Sequence, residues 1–114
     1  SDLSRLIQND SLLALPKLIA SGEAFDFGFV DGSHLFEHIF CDTLYMSRLI
    51  RPGGLVVLDD TWMPATKVAV EYFTRNMGFV HENPGDTSPG KRFAVLRLPA
   101  QPLDRPWDHF VPFA

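Results

Sequence analysis

Two short apolar segments that each run into acidic residues constrain the fold of this 114-residue sequence more than any other feature. The first segment, Phe25–Val30, is followed by Asp31. The second, residues 55–58 (Leu-Val-Val-Leu), is followed by Asp59 and Asp60. Apolar segments of this length, rich in Val and Phe and bounded by Gly, are typical of buried strands in a parallel sheet. Because ligands of open α/β sheets bind beyond the carboxyl ends of the strands, we expect these carboxylates along one edge.

Three carboxylates on one edge repel one another unless a positive charge lies between them. A divalent cation is the natural candidate, because hard cations bind carboxylate oxygens. The pattern therefore predicts Asp31, Asp59 and Asp60 as metal ligands, with His34 close by. Each site also has a structural alternative: residues 31–34 can form a turn that caps the next helix, and the acidic pair can cap the helix that follows it.

Apolar spacing and turn residues predict the order of the remaining elements. Residues 52–54 (Pro-Gly-Gly) are expected to end a helix and turn the chain into the next strand. The order predicts an α/β fold with a doubly wound, mostly parallel sheet that ends in an antiparallel hairpin. The predicted strands cover residues 3–8, 25–30, 55–59, 79–82 and 92–98, and the predicted helices cover residues 11–21, 35–50 and 61 or 63 to 77.

The last residues have a different composition from the rest of the chain. Residues 99–114 are rich in proline and show no regular period, whereas residues 1–98 carry the α/β pattern. We therefore divide the chain into an α/β domain at 1–98 and a tail at 99–114 that packs on it. Trp107, Phe110 and Phe113 are the expected anchors of the tail, because free aromatic side chains would leave an apolar surface exposed.

Charge and composition exclude several classes of function. The formal net charge is -4 and the basic residues are scattered, which argues against nucleic acid as a partner. No apolar segment approaches the roughly 18 residues that a membrane-spanning helix needs, so no membrane partner is expected. Cys41 is the single cysteine and cannot form an internal disulfide, which favours a reducing, cytoplasmic location.

Three motifs together resemble the class I S-adenosylmethionine-dependent methyltransferases. They are Asp-Gly-Ser-His at 31–34, Pro-Gly-Gly at 52–54 and Asp-Asp at 59–60. The resemblance is closest to the small-molecule O-methyltransferase branch that carries an Asp-Gly-x-His segment, and it extends over about residues 3–98. It implies a partial Rossmann-like fold, S-adenosylmethionine as the cofactor and methyl transfer to a hydroxyl of a small molecule.

The resemblance also assigns roles to individual residues. Asp10 and Ser11, at the end of the first predicted strand, would lie near the adenine of the cofactor, and Asp31 would also contact the cofactor. The family's magnesium ligands fall on Asp31 and the acidic pair at 59–60, although many class I methyltransferases use no metal. His34 falls where some relatives place a catalytic base. Trp62 is expected either to line a substrate pocket or to be a core aromatic residue.

The sequence departs from this family in one respect. No Gly-x-Gly motif occurs in the 114 residues, although the family holds its cofactor with a glycine-rich loop after its first strand. We therefore expect the carboxy-terminal half of a methyltransferase. The alternative is a catalytically inactive remnant that self-associates or pairs with another chain through an exposed edge strand at Phe25–Val30.

Two other folds with acidic residues at strand ends fit the sequence less well. In response regulators the acidic pair precedes the lone acid, whereas here Asp31 comes first. Haloacid-dehalogenase-like phosphatases need two Asp separated by one residue, whereas Asp59 and Asp60 are adjacent. Adjacent strand residues point to opposite faces, so both can bind one metal only if the strand ends between them.

Overall fold

A computed structural model describes residues 20, 22, 24–30, 35–85, 93–101 and 103–113. The strand predicted at 3–8 and nearly all of the helix predicted at 11–21 lie outside these residues. The helices predicted at 35–50 and at 61 or 63 to 77 are confirmed to within a few residues. The elements of the described part are β1 (Phe25–Val30), α1 (Phe36–Leu49), β2 (Ile50–Asp59), α2 (Pro64–Asn76), β3 (Val80–His81) and β4 (Phe93–Arg97).

The described strands form one four-stranded sheet in the order β1-β2-β4-β3. Strand β1 pairs with β2 in parallel, and the connection between them contains α1. Strand β4 lies antiparallel to both β2 and β3, and its pairing with β3 forms the predicted antiparallel hairpin. The predicted α/β fold class is confirmed. None of the helices in the described part is long and apolar enough to cross a membrane.

The core lies between one face of the sheet and the two described helices. Val56 and Leu58 of β2 are fully buried, and they alternate with residues that point to the other face. Helix α2 places Phe73, which is also fully buried, against them, and this ring stacks on Phe40 of α1 at a centroid distance of 5.4 Å. Each buried side chain of this size stabilises the folded state by about 1.5–3 kcal/mol.

The junction between α1 and β2 differs from the prediction. Residues 52–54 were expected to form a turn outside the sheet, but β2 already begins at Ile50, which pairs with Phe25 of β1. Pairing then shifts, and Leu55 lies opposite Phe27. Four residues of β2 (51–54) therefore face one residue of β1, Asp26. The Pro-Gly-Gly segment forms an irregular stretch inside the strand, because the pairing partner decides whether a Gly-rich segment extends or turns.

Close backbone approach explains the glycine at position 54. A Cβ atom there would lie 2.7 Å from the carbonyl oxygen of Asp26 and 2.9 Å from that of Arg51, closer than a real Cβ approaches. The Arg51 guanidinium also donates to the Asp26 carboxylate over 2.8 Å, which ties the two strands together beside this glycine. Only a residue without a side chain fits at this position.

The tail contacts the domain through α2. The Asn76 side-chain amide donates to the carbonyl oxygen of Val111 (2.9 Å), and its oxygen accepts from the Val111 N–H (2.7 Å). The ring of Phe113 lies 5.1 Å from that of Tyr72. Trp107, however, is 97% exposed, so its predicted anchoring role is wrong, because the paired amide bonds and Phe113 hold the tail instead. The domain boundary at residue 98 stays a prediction.

We expect Gly54→Ala to lower the free energy of unfolding by about 1–3 kcal/mol, because the added methyl group must displace backbone atoms. Urea denaturation of the purified chain measures the change. Gly85→Ala is the matched control, since a Cβ at Gly85 meets no atom within 4 Å. Equal stability of the two variants would show that the close approach at Gly54 carries no constraint.

Candidate functional site

The carboxyl ends of β1 and β2 lie side by side at one edge of the sheet. Strand β1 ends at Val30, which pairs with Leu58, and β2 continues one residue further to Asp59. The antiparallel strand β4 begins at the same edge, with Phe93 opposite Asp59. This is the edge at which open α/β sheets bind their ligands.

A tight turn after β2 brings both acidic residues to this edge. Asp59 is 7% exposed, and its Oδ1 accepts a hydrogen bond of 2.8 Å from the backbone N–H of Asp60. Asp60 has a φ of 57°, the left-handed conformation that Asp and Asn tolerate better than other non-glycine residues. Its carbonyl oxygen accepts from the Met63 N–H over 3.0 Å, which leads the chain into α2 at Pro64.

This turn removes the objection that adjacent strand residues face opposite ways. Because the strand ends at Asp59 and Asp60 has left the extended conformation, the alternation of a strand no longer separates their carboxylates. The N-cap of α2 is Met63, whose side chain makes no capping hydrogen bond. A capping role for the acidic pair stays a prediction.

Trp62 lies beside the acidic pair and is exposed to solvent. Its side chain is 56% accessible, which excludes the core position that the sequence left open. Its indole Nε1–H donates to Oδ1 of Asp60 over 3.3 Å. The ring thus borders the carboxylates with one flat apolar face available, while contact with a substrate stays a prediction.

The other predicted site residues, Asp10, Ser11, Asp31 and His34, lie outside the described residues. Within residues 35–85 and the other described ranges, no group of three or more His, Cys, Asp or Glu side chains is placed to hold a metal ion. The structure therefore brings together the acidic pair of the predicted trio. Its donor atoms are carboxylate oxygens, which is the chemistry that Mg²⁺ prefers.

A polar cavity of about 330 Å³ adjoins this turn, and sequence reasoning missed it. Thr61, which follows the acidic pair, forms part of its wall, and so does Lys67 on the first turns of α2. His81 lines it from the end of β3. No spacing in the sequence signals this grouping, because it depends on β4 returning between β2 and β3.

Comparison with known families identifies the protein family of this chain. A family model described as a methyltransferase domain matches residues 1–61, which is more than half of the chain and includes β1, α1 and β2. The chain belongs to this methyltransferase family. Membership supports methyl transfer as its chemistry and implies S-adenosylmethionine as the methyl donor. No curated protein and no solved structure matches the chain significantly.

For this methyltransferase we expect Asp60→Ala to lower the free energy of unfolding by about 1 kcal/mol, because alanine tolerates a positive φ poorly. Asp60→Asn and Asp60→Gly should stay within about 0.5 kcal/mol of the parent, since both residues adopt this conformation readily. Thermal or urea unfolding of the three variants gives the comparison. If Asp60→Ala is as stable as Asp60→Asn, the left-handed turn does not constrain this position.

Proposed function

We propose that this methyltransferase transfers the methyl group of S-adenosylmethionine to a hydroxyl of a small molecule, with Mg²⁺ held by Asp31, Asp59 and Asp60. The observation that carries the proposal is the turn at the end of β2, which holds two adjacent carboxylates at the ligand-binding edge. Membership of the methyltransferase family supports the donor. The resemblance of residues 31–34 to the O-methyltransferase branch supports the acceptor class.

The reaction is an in-line displacement at the methyl carbon. The acceptor oxygen forms a C–O bond while the C–S bond of the sulfonium breaks, and S-adenosylhomocysteine leaves with the electron pair. His34 takes the hydroxyl proton, a role suited to imidazole near neutral pH. When bound, Mg²⁺ lowers the pKa of an alcohol and orients it. Asp59 and Asp60 would position that ion beside the acceptor.

The cofactor needs contacts beyond those described above. We assign Asp10, Ser11 and Asp31 to its binding, on the strength of the family resemblance. Because the 114 residues contain no Gly-x-Gly motif, a glycine-rich loop would come from residues outside them, on the same polypeptide or on another. A cytoplasmic location agrees with the single cysteine and with the supply of S-adenosylmethionine in that compartment.

The polar cavity beside the acidic pair is the place we assign to the acceptor. Thr61 connects it to the turn that carries Asp59 and Asp60, and Trp62 offers an exposed ring nearby. Lys67 is exposed and makes no ion pair within the described part of the chain, so its charge is available to an acceptor. A hydroxylated small molecule with polar substituents suits this wall better than a purely apolar one.

We expect the chain to bind Mn²⁺, used as a paramagnetic substitute for Mg²⁺, and the double variant Asp59→Asn with Asp60→Asn to lose that binding. The amide oxygen at position 59 can still accept the Asp60 N–H bond, so the variant should stay folded. Electron paramagnetic resonance titration measures free Mn²⁺. The matched control replaces Asp104 and Asp108 of the tail with Asn. Equal Mn²⁺ binding by parent and site variant would contradict the metal role.

Calorimetric titration with S-adenosylhomocysteine in the presence of Mg²⁺ tests whether these 114 residues bind the cofactor without a glycine-rich loop. Micromolar binding would support a cofactor pocket built by this chain, alone or across a dimer. Lack of binding, together with intact circular dichroism, would support the carboxy-terminal-half interpretation, in which the pocket needs residues outside these 114.

A second candidate function is self-association through β1, and one observation favours it. Strand β1 is the edge strand of the described sheet, and its outer backbone groups face no other described strand. Phe27 and Phe29 are 54% and 39% exposed on the sheet face opposite the helices. An antiparallel pair with a second copy, with Phe27 opposite Phe27, keeps these rings on one shared face and places Asp26 opposite Gly28.

We expect the parent chain to form dimers at high micromolar concentration and Phe27→Glu to shift the chain toward the monomer. Facing glutamates would repel each other across the two-fold axis. Multi-angle light scattering measures the mass. Val80→Glu serves as the control, because Val80 is 55% exposed on β3 at the opposite edge of the sheet. A monodisperse parent monomer, or equal loss of dimer in both variants, would rule out the β1 interface.

A further inference from the structure

A second cavity, of about 260 Å³, lies at the end of the sheet opposite the acidic pair. It forms where α1 ends and β2 begins, so Arg48, Ile50 and Pro52 contribute to one side. Leu98 and Leu103 close the other side, from the residues that follow β4. Gly78 has a φ of 71° and no side chain, which lets Leu103 pack directly against the backbone beyond α2. The cavity is therefore built by three separate parts of the chain.

The wall of this cavity combines apolar side chains with two arginines. The apolar part comes from the start of β2, the residues that follow α2 and the residues that follow β4, and the charged part consists of Arg48 and Arg105. None of the described residues that line the cavity is acidic. The apolar members of the wall are Ile50, Pro52, Met77, Phe79, Leu98, Pro99 and Leu103.

The charges around the cavity do not cancel. Helices α1 and α2 both end here, and each carboxyl end carries about half a negative charge. Two guanidinium groups carry two positive charges, which leaves a net charge of about +1. Arg105 already donates to the carbonyl oxygen of Asn76 at the end of α2, over 3.0 Å. Arg48 is exposed, and its guanidinium makes no hydrogen bond or ion pair within the described part of the chain.

We propose that this cavity binds a monocarboxylate with an apolar body, whose carboxylate pairs with the Arg48 guanidinium. The net charge of about +1 matches a single negative charge, and the apolar wall matches a hydrocarbon body. An engineered apolar cavity of about 150 Å³ holds benzene, so this larger volume holds roughly ten carbon atoms. A guanidinium suits the carboxylate because it can donate two parallel hydrogen bonds. The site is independent of the methyl-transfer chemistry at the other end of the sheet.

Decanoate is the probe, and decanol is its uncharged counterpart. We expect decanoate to bind the chain by calorimetry and to raise its melting temperature, with decanol binding about tenfold more weakly. Arg48→Gln should weaken decanoate by about tenfold without changing decanol, and Arg48→Lys should retain most of the affinity. Lys67→Gln is the control, because Lys67 is an exposed cation beside the other cavity and is absent from this wall.

Three results would overturn the proposal. The first is equal binding of decanoate and decanol by the parent chain, which would show that charge plays no part. The second is unchanged decanoate affinity in a folded Arg48→Gln protein, and the third is no binding of decanoate at millimolar concentration. The Asp59→Asn, Asp60→Asn variant should keep its decanoate affinity, so the outcome is separable from that of the proposed methyl transfer.

Discussion

The structure depends on the burial of strand β2 between two partner strands. Its backbone pairs with β1 on one side and β4 on the other, and Val56 and Leu58 are fully buried under α1 and α2. A strand in this position must satisfy its backbone hydrogen bonds on both sides, because no water reaches them. The other described elements are arranged around this requirement: α1 connects β1 to β2, and β4 pairs with β2 on one side and with the preceding strand β3 on the other.

Both ends of β2 are irregular, and both irregular ends carry potential binding sites. At its start, Gly53 and Gly54 allow extra residues to fit opposite β1, and this places Ile50 in the wall of the apolar cavity. At its end, the left-handed residue Asp60 turns the chain abruptly and leaves two carboxylates together at the sheet edge. A regular strand would point these two side chains to opposite faces, since its side chains alternate.

The two ends differ in chemistry because different parts of the chain complete them. The carboxyl edge of β2 combines acidic residues with polar groups of α2 and β3, and there we place the proposed hydroxylated acceptor of this methyltransferase. The opposite end combines the carboxyl ends of two helices with arginines, which suits an apolar anion. The two regions lie at opposite ends of β2, so the length of this strand separates them. Ligands at the two ends need not compete for the same contacts.

Local patterns in the sequence predicted most of the described helices and strands, and they predicted the acidic pair of the candidate site. Apolar segments and Gly or Pro boundaries gave β1, α1, α2 and the final hairpin, because these signals act over a few residues. The motifs at 31–34, 52–54 and 59–60 gave the methyltransferase family, and the acidic pair was expected at the carboxyl edge of the sheet where it is found.

Tertiary structure decided what depends on residues far apart in the chain. The Pro-Gly-Gly segment has the local composition of a turn, but it lies within β2 because Ile50 already pairs with Phe25. His81 reaches the cavity beside the acidic pair only because β4 lies between β2 and β3. Arg48 and Arg105 share one cavity because the tail folds back over the end of α2. Such groupings carry no local signal, since packing of the whole sheet and tail brings these residues together.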